Sequence, residues 1–199
     1  MAYYAEPIMR LVQELSRLPG IGEKTATRLA IYILNSSNGY AEALVKSLLD
    51  VKQNIKACSV CFNMTDRDTC SICSNTGRNH EIICLVEGIN DLAAIEKAGR
   101  YKGTYHVLHG VISPLKGIGP DDIGVAELLK RVHAGNIKEV IIATNPTVDG
   151  EATALYITKV LKPSGIKITR LATGIPMGSD IEYIDSATLS MAIDGRREI

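Results

Sequence analysis

Hydrophobic positions along the chain follow two different periods. Ile8, Leu11, Val12, Leu15 and Leu18 recur every three or four residues, and Ala26, Leu29, Ala30 and Ile33 do so again. This spacing predicts two helices, and Ala43, Leu44, Ser47 and Leu48 predict a short third. Between residues 57 and 80 the periodicity vanishes. From Glu81 onward the apolar runs IICLV (82–86), YHVLH (105–109), VIIA (140–143) and IKITRLA (166–172) alternate with helical periods. Strand and helix in alternation predict a parallel sheet covered on both faces. The most regular helical period is Ile123 to His133, with Val125, Leu128, Leu129 and Val132 on one side. Asp121 and Asp122 stand near its start, where the helix dipole favours acids. Gly110 to Gly119 reads as a loop with no evident role.

The pattern divides the chain into a helical region (1–56), a cysteine-rich module (57–80), an α/β region (81–174) and a tail (175–199). The tail combines a Gly174-Ile175-Pro176 turn with a helical period from Asp185 to Ile193, and its pattern is open between core packing and subunit contact. With 199 residues and 46% hydrophobic content, one good core and smaller satellites are within reach. The start MAYYAEPIMRLVQEL has no basic, apolar and small-residue sections of a secretory signal, and no run of eighteen apolar residues occurs, so a cytoplasmic protein with no membrane partner is expected. Twenty-two basic residues cancel twenty-two acidic ones, so binding to nucleic acid has to come from a local patch. Residues 1–57 carry seven Lys/Arg against five Asp/Glu, and residues 81–199 carry thirteen against fifteen. The front is slightly basic and the back slightly acidic.

The first candidate site is LPGIGEKTATRLA, Leu18 to Ala30, where Gly20, Ile21 and Gly22 lie between two helical periods. Glycines at 20 and 22 permit backbone angles that other residues avoid, so a tight turn can present bare N–H groups at the start of the next helix. Lys24 and Arg28, four apart, fall on one side of that helix and can reach neighbouring phosphates. This is a helix-hairpin-helix pattern suited to binding DNA without regard to sequence. The other reading is a plain helical hairpin with solvated cations. A nucleotide-binding P-loop is excluded on spacing, because Glu23 separates Gly22 from Lys24 and no apolar strand precedes the turn.

The second site is the pair of knuckles CSVC and CSIC. Cys58, Cys61, Cys70 and Cys73 form C-x2-C-x8-C-x2-C, which aims four thiolates at one point and predicts one structural Zn²⁺. Two disulfides are the alternative, disfavoured in a chain with no secretory signal. Four sulfurs leave no coordination position for water or substrate. Cys84, inside an apolar run, is read as core.

The third site is a set of acids following predicted strands. Glu87 follows IICLV, and ATNPTVDGEA (143–152) follows VIIA, so Glu87, Asp91, Asp149 and Glu151 can share the surface at the carboxyl ends of a parallel sheet. Asp91 and Asp149 can equally be helix caps. LVEG together with ATNPTVDGEA resembles the Toprim domain of topoisomerases and primases, whose acidic loop has the form A-T-D-P-D-x-E-G-E-A. Set against that form, Asn145 and Thr147 replace two metal-binding aspartates, Asp149 takes the place of a glutamate, and Glu151 matches. An amide and a hydroxyl are poor ligands for Mg²⁺, a hard cation bound through carboxylates and water.

Over nearly its whole length, including the tail motif TRLATGIPMGSDIEYID, the chain resembles the RecR family of bacterial recombination mediators. The resemblance implies an α/β protein with a helix-hairpin-helix domain, a four-cysteine zinc module and a degenerate Toprim domain. It further implies a non-enzyme acting in recombinational repair with RecO and RecF. In that role it would bind duplex and gapped DNA, help to load the RecA recombinase on single-stranded gaps, and assemble ring-like tetramers. The acids Glu87, Asp91, Asp149 and Glu151 are then expected to dock a basic partner such as RecO. Two other readings compete with this one: a metal-dependent Toprim nuclease or primase-like enzyme, kept open by Glu87 and Glu151, and a zinc-dependent scaffold that does not touch DNA.

Overall fold

Helix α1 (Glu6–Ser16) opens with Pro7 in its first turn, where a missing N–H removes no helical hydrogen bond. Helix α2 (Glu23–Asn35) packs against it through buried Val12, Ala26 and Ala30, with Ile8, Leu11, Leu15 and Ile21 around them. Two alanines one turn apart leave room for the close approach. These helices belong to a computed structural model that describes residues 4–196. Residues 1–3 and 197–199, at the outer ends of the predicted helical region and tail, lie outside the described residues. The chain forms two compact units, Met1–Ile55 and Lys56–Ile199.

In the first unit the third helix is not short. Helix α3 runs from Asn38 to Asn54, 17 residues, and starts at Ser37, whose hydroxyl accepts the Tyr40 N–H at 3.3 Å. None of its residues is buried, and Val45, Leu48, Leu49 and Val51 are each more than half exposed. Its apolar positions have no cover within one chain, which is why the periodicity understates its length.

The second unit opens with a small antiparallel pair, β1 (Lys56–Ala57) and β2 (Met64–Thr65), which carries the cysteine module. A four-stranded parallel sheet follows, built of β3 (Asn79–Val86), β4 (Gly103–Val107), β5 (Glu139–Ala143) and β6 (Lys167–Arg170) in the order β4-β3-β5-β6. Leu108 and His109, expected in a strand, lie just beyond β4 and turn the chain. Helices α4 (Ile89–Ala98), α5 (Val125–Ala134) and α6 (Val148–Leu161) connect or flank the strands. Because side chains alternate along a strand, Ile83 and Leu85 face one core with Val140, Ile142, Leu128, Ile157 and Leu161, while Cys84 and Val86 face another with Leu92, Tyr105 and Val107. Phe62 and Ile72 pack against that second core. The cysteine module therefore shares with helix α4 in covering one face of the sheet. Cys84 is core, and burial pushes its thiol up to about 12.

The helix expected from Ile123 begins at Val125. Asp121 and Asp122 sit in a preceding 3-10 turn, where Asp122 accepts the Gly119 N–H at 2.8 Å, so they do not sit in the first turn of α5. Past β6 the tail is open. Helix α7 (Ser186–Asp194) is capped by Asp185, which accepts the Thr188 N–H at 2.9 Å, yet no residue from 171 to 196 is buried, so the tail is not core packing.

Arg78, at the end of the cysteine module, donates to both oxygens of Glu96 in α4 and to the Gly103 carbonyl at 3.2 Å. The Tyr105 hydroxyl donates to Glu96 at 2.6 Å. The Arg78 hydrogen bonds hold the Glu96 carboxyl below the ordinary glutamate range, helped by Tyr105 and opposed by burial. A depressed folded-state pKa means that this contribution is complete above the ordinary range and is lost as pH falls through the folded value. Glu96→Gln is expected to cost about 1–3 kcal/mol at neutral pH and to flatten that acid step; equal pH profiles for both proteins in thermal or denaturant unfolding would contradict the assignment.

Candidate metal centre and nucleic-acid interface

The first knuckle is a closed turn. The Phe62 N–H donates to the Cys58 carbonyl at 3.0 Å, and the Cys58 N–H donates to the Asn63 carbonyl at 2.7 Å. The second knuckle is tied by the Ser74 N–H to the Cys70 carbonyl at 3.0 Å, and the Cys70 N–H points at Cys58 Sγ at 3.3 Å. All four ligand atoms of Cys58, Cys61, Cys70 and Cys73 lie within 4.8 Å of one another. Cys58, Cys61 and Cys70 are buried and Cys73 is half-buried. Cys61 lies below the ordinary thiol range chiefly because the Cys73 thiol donates to it. Cys73 is raised by giving that hydrogen bond, and Cys70 is raised by burial. Four soft donors around one point, with protons shared where a cation would stand, fit a single Zn²⁺ in a closed, structural site.

This module is seated on the sheet. The Val107 N–H donates to the Cys61 carbonyl at 2.9 Å, and the Phe62 ring meets the His106 ring edge to face at 5.3 Å. Arg131 of α5 donates to the Tyr105 carbonyl at 2.5 Å and to Thr104 Oγ1 at 2.9 Å, and lines one groove with Ser59, Val60 and Phe62. Among the described residues no carboxylate forms an ion pair with it. Burial lowers its pKa, and negative charge on Cys73, Cys61 and Cys58 opposes the shift. Negative charge on those thiolates favours the charged form of the Arg131 guanidinium, and nothing in its helical period signals that.

In the hairpin, the Ile21 N–H donates to the Leu18 carbonyl at 3.0 Å and Gly20 takes φ +78°, an angle that favours glycine. Gly22 is different. It is the N-cap of α2 at φ −80°, ψ 165°, open to any residue, and a Cβ there would meet nothing within 4 Å. The turn geometry needs glycine at position 20 and does not need it at position 22. The Ile21 side chain packs against the α1–α2 core. Lys24 and Arg28 are exposed on one side of α2 and line a shared groove with Thr25, Thr27 and Ile31.

At the carboxyl ends of the strands the four acids have separate duties. Glu87 receives two hydrogen bonds from Asn145, the backbone N–H on Oε1 at 2.7 Å and the side-chain amide on Oε2 at 2.8 Å. Gly150 permits this closeness, because a Cβ there would stand 2.1 Å from the Asn145 carbonyl and 2.9 Å from Glu87 Oε1. Thr147 caps α6, accepting the Gly150 N–H at 3.1 Å. Glu151 is clamped by both guanidinium nitrogens of Arg170 at 2.5 Å. Asp91 accepts the Gly88 N–H at 2.9 Å and so serves the start of α4. Asp149, in the first turn of α6 behind the Thr147 cap, is half-buried and its carboxylate has no hydrogen-bond partner among the described residues. A cleft of about 320 Å³ beside them is lined by Asp91, Ile95, Asn145, Pro146, Arg170 and Leu171. Where a phosphoryl-transfer site needs unshared carboxylates around a cation, this loop presents an amide and a hydroxyl already in use and two glutamates already paired.

Family models match in an order that covers most of the chain: a RecR helix-hairpin-helix model at residues 8–52, a RecR four-cysteine zinc finger domain at 55–75, a Toprim domain at 81–172 and a RecR C-terminal model at 174–197. Among curated relatives, the recombination protein RecR of Koribacter versatilis is 52% identical over 199 residues, covering all of both chains. That of Carboxydothermus hydrogenoformans is 52% identical over 195 residues, 98% of each chain, and that of Pelotomaculum thermopropionicum is 52% identical over 199 residues, all of both.

Metal analysis is expected to find about one Zn²⁺ per chain, bound through the four cysteines, and chelation is expected to unfold residues 57–80. Arg131→Met is expected to speed zinc release to a chelator at least several-fold, with Arg131→Lys restoring much of the difference. Release at an unchanged rate in Arg131→Met would show that the guanidinium and the thiolates are not coupled.

Proposed function

The chain belongs to the RecR family of recombination proteins, and on that premise we propose that it is a DNA-binding mediator of recombinational repair, without catalytic chemistry of its own. The observation that carries the non-catalytic part is the Glu87–Asn145 pair. Glu87 spends one lone pair on each oxygen on the residue standing in place of a metal-binding aspartate, and that residue brings an amide where Mg²⁺ favours a carboxylate. Among the described residues no helix is long and apolar enough to cross a membrane.

The DNA-binding part rests on the hairpin. The bare start of α2 supplies N–H groups to a phosphate, and Lys24 and Arg28 supply charge. Two cations per chain give weak binding, since affinity follows the number of neutralised phosphates. Several hairpins on one assembly multiply it by avidity. That favours the homo-oligomer, a ring-like tetramer, for which the exposed apolar stripe of α3 and the open tail supply uncovered surface. In this reading RecO and RecF engage the assembly and RecA is loaded on single-stranded gaps.

RecO docking is assigned to the acidic end of the Toprim domain, where the four acids are not equally free. Reversing Glu87 would free both Asn145 donors and disturb the loop, and reversing Glu151 would strand Arg170. Asp149 is the acid whose charge is least committed, so Asp149→Lys is the sharper probe of a basic partner.

Replacing Lys24 and Arg28 together by Ala is expected to weaken binding to all DNA sequences alike and to lower the salt slope by about one for each phosphate left without its cation. Circular dichroism and solution mass should stay unchanged. Unaltered DNA affinity in a folded, equally oligomeric double variant would make the hairpin a purely structural element.

A further inference from the structure

Among the described residues, the non-glycine positions with positive φ are Phe62, at 63°, and His109, at 58°. Their chain separation is large, yet they are bonded to each other. The His109 ring donates its Nε2–H to the Phe62 carbonyl at 2.6 Å. Left-handed backbone is disfavoured for residues that carry a Cβ, so each position needs surroundings that hold it.

Phe62 is held by the first cysteine knuckle. Its own N–H is given to Cys58, the carbonyl of the next residue, Asn63, receives the Cys58 N–H, and the preceding Cys61 carbonyl receives the Val107 N–H. His109 is held from the other side. Flanking amides fasten it to the end of β3, Leu108 N–H on the Val86 carbonyl at 2.9 Å and Gly110 N–H on the Glu87 carbonyl at 3.1 Å. Glu87 in turn receives both donors of Asn145. Short contacts therefore run without a gap from the sulfur ligands through Phe62, His109 and Gly110 to Glu87 and the Asn145 loop.

We propose that His109 is a strut through which the metal-bound knuckle sets the position of the Glu87–Asn145 loop. Geometry at the sulfurs fixes where the Phe62 carbonyl points. That carbonyl holds the His109 ring, and the ring holds a turn that would otherwise relax and release Gly110 from Glu87. The competing account is that strand pairing alone places Glu87, with His109 a bystander. The inference concerns the fold of the loop and holds whichever partner docks there.

The two accounts separate when the metal site is perturbed gently and the response is read residue by residue. Full-length protein is loaded with Zn²⁺ or with the larger Cd²⁺, and backbone amide shifts are compared by NMR. In the unaltered protein the exchange of metals is expected to move the amides of Phe62, Gly110 and Asn145. In His109→Asn, which tolerates a left-handed turn but has too short a side chain to bridge, the Phe62 shift should persist while those of Gly110 and Asn145 vanish. Zinc-loaded His109→Asn should also exchange its Gly110 and Asn145 amide hydrogens about fivefold faster, the expected effect of losing one net hydrogen bond, with Ile83 and Val140 in the sheet unchanged. Should His109→Asn fail to fold, His109→Gly, which removes the strain along with the ring, takes its place with the same expected pattern. Gly110 and Asn145 shifts that are equal with and without His109, or absent in both, would overturn the proposal, as would unchanged exchange in the variant.

Discussion

Four sulfurs within 4.8 Å of one another cannot all be charged unless a cation stands among them. The second unit is organised around that constraint. Zinc neutralises the thiolates, and once the knuckles are closed the module places Phe62 and Ile72 on the sheet and the Cys61 carbonyl against β4. Arg131, half-buried on α5 and without a carboxylate partner among the described residues, ties that helix to β4 through the Tyr105 carbonyl and Thr104 Oγ1. A module of this size has no hydrophobic core to fold around. Metal and sheet between them supply what the core does not.

The proposed non-catalytic role of the Toprim domain rests on how its loop residues are engaged. A phosphoryl-transfer site keeps its carboxylates unshared so that they face a cation. Here Asn145 donates both its N–H groups to Glu87, Thr147 caps α6, and Arg170 closes on Glu151. The amide at position 145 and the hydroxyl at position 147 each make a hydrogen bond, to Glu87 and to the Gly150 N–H. What is left is a partly acidic surface at the strand ends of one unit, while the other unit carries a hairpin whose cations are exposed. That division of labour suits a protein that joins DNA to other proteins.

Much of this was legible in the sequence, for physical reasons that differ by element. The zinc ligands are adjacent in the chain, so spacing alone places Cys58, Cys61, Cys70 and Cys73 together. The sheet is legible because strands buried on both faces are continuous apolar runs. The full length of helix α3 is not, because Val45, Leu48 and Leu49 bury against nothing in one chain, and a pattern matched to a core misses them. Gly22 reads as a conformational glycine and is not; within the hairpin only Gly20 has a positive φ. Contacts formed across the chain were out of reach. Glu87 meeting Asn145, Glu151 meeting Arg170, and His109 meeting Phe62 depend on strand order, and left-handed turns at Phe62 and His109 lack the glycine that normally marks them. The nearest available signal is that Glu87 and Asn145 each follow an apolar run, which in a parallel sheet puts both at the same edge.

The central question is whether the Toprim loop still holds a catalytic metal. The most direct measurement is paramagnetic broadening of backbone amide signals as Mn²⁺ is added to zinc-loaded protein bound to gapped DNA, with the DNA assayed for cleavage, joining or extension in the same tube. With Glu87 and Glu151 already paired, no selective broadening is predicted at Glu87, Asn145 or Glu151, and the DNA should be recovered unchanged. Selective broadening at those residues together with turnover that disappears in Glu151→Gln would contradict the non-catalytic reading and restore the chain to the metal-dependent enzymes.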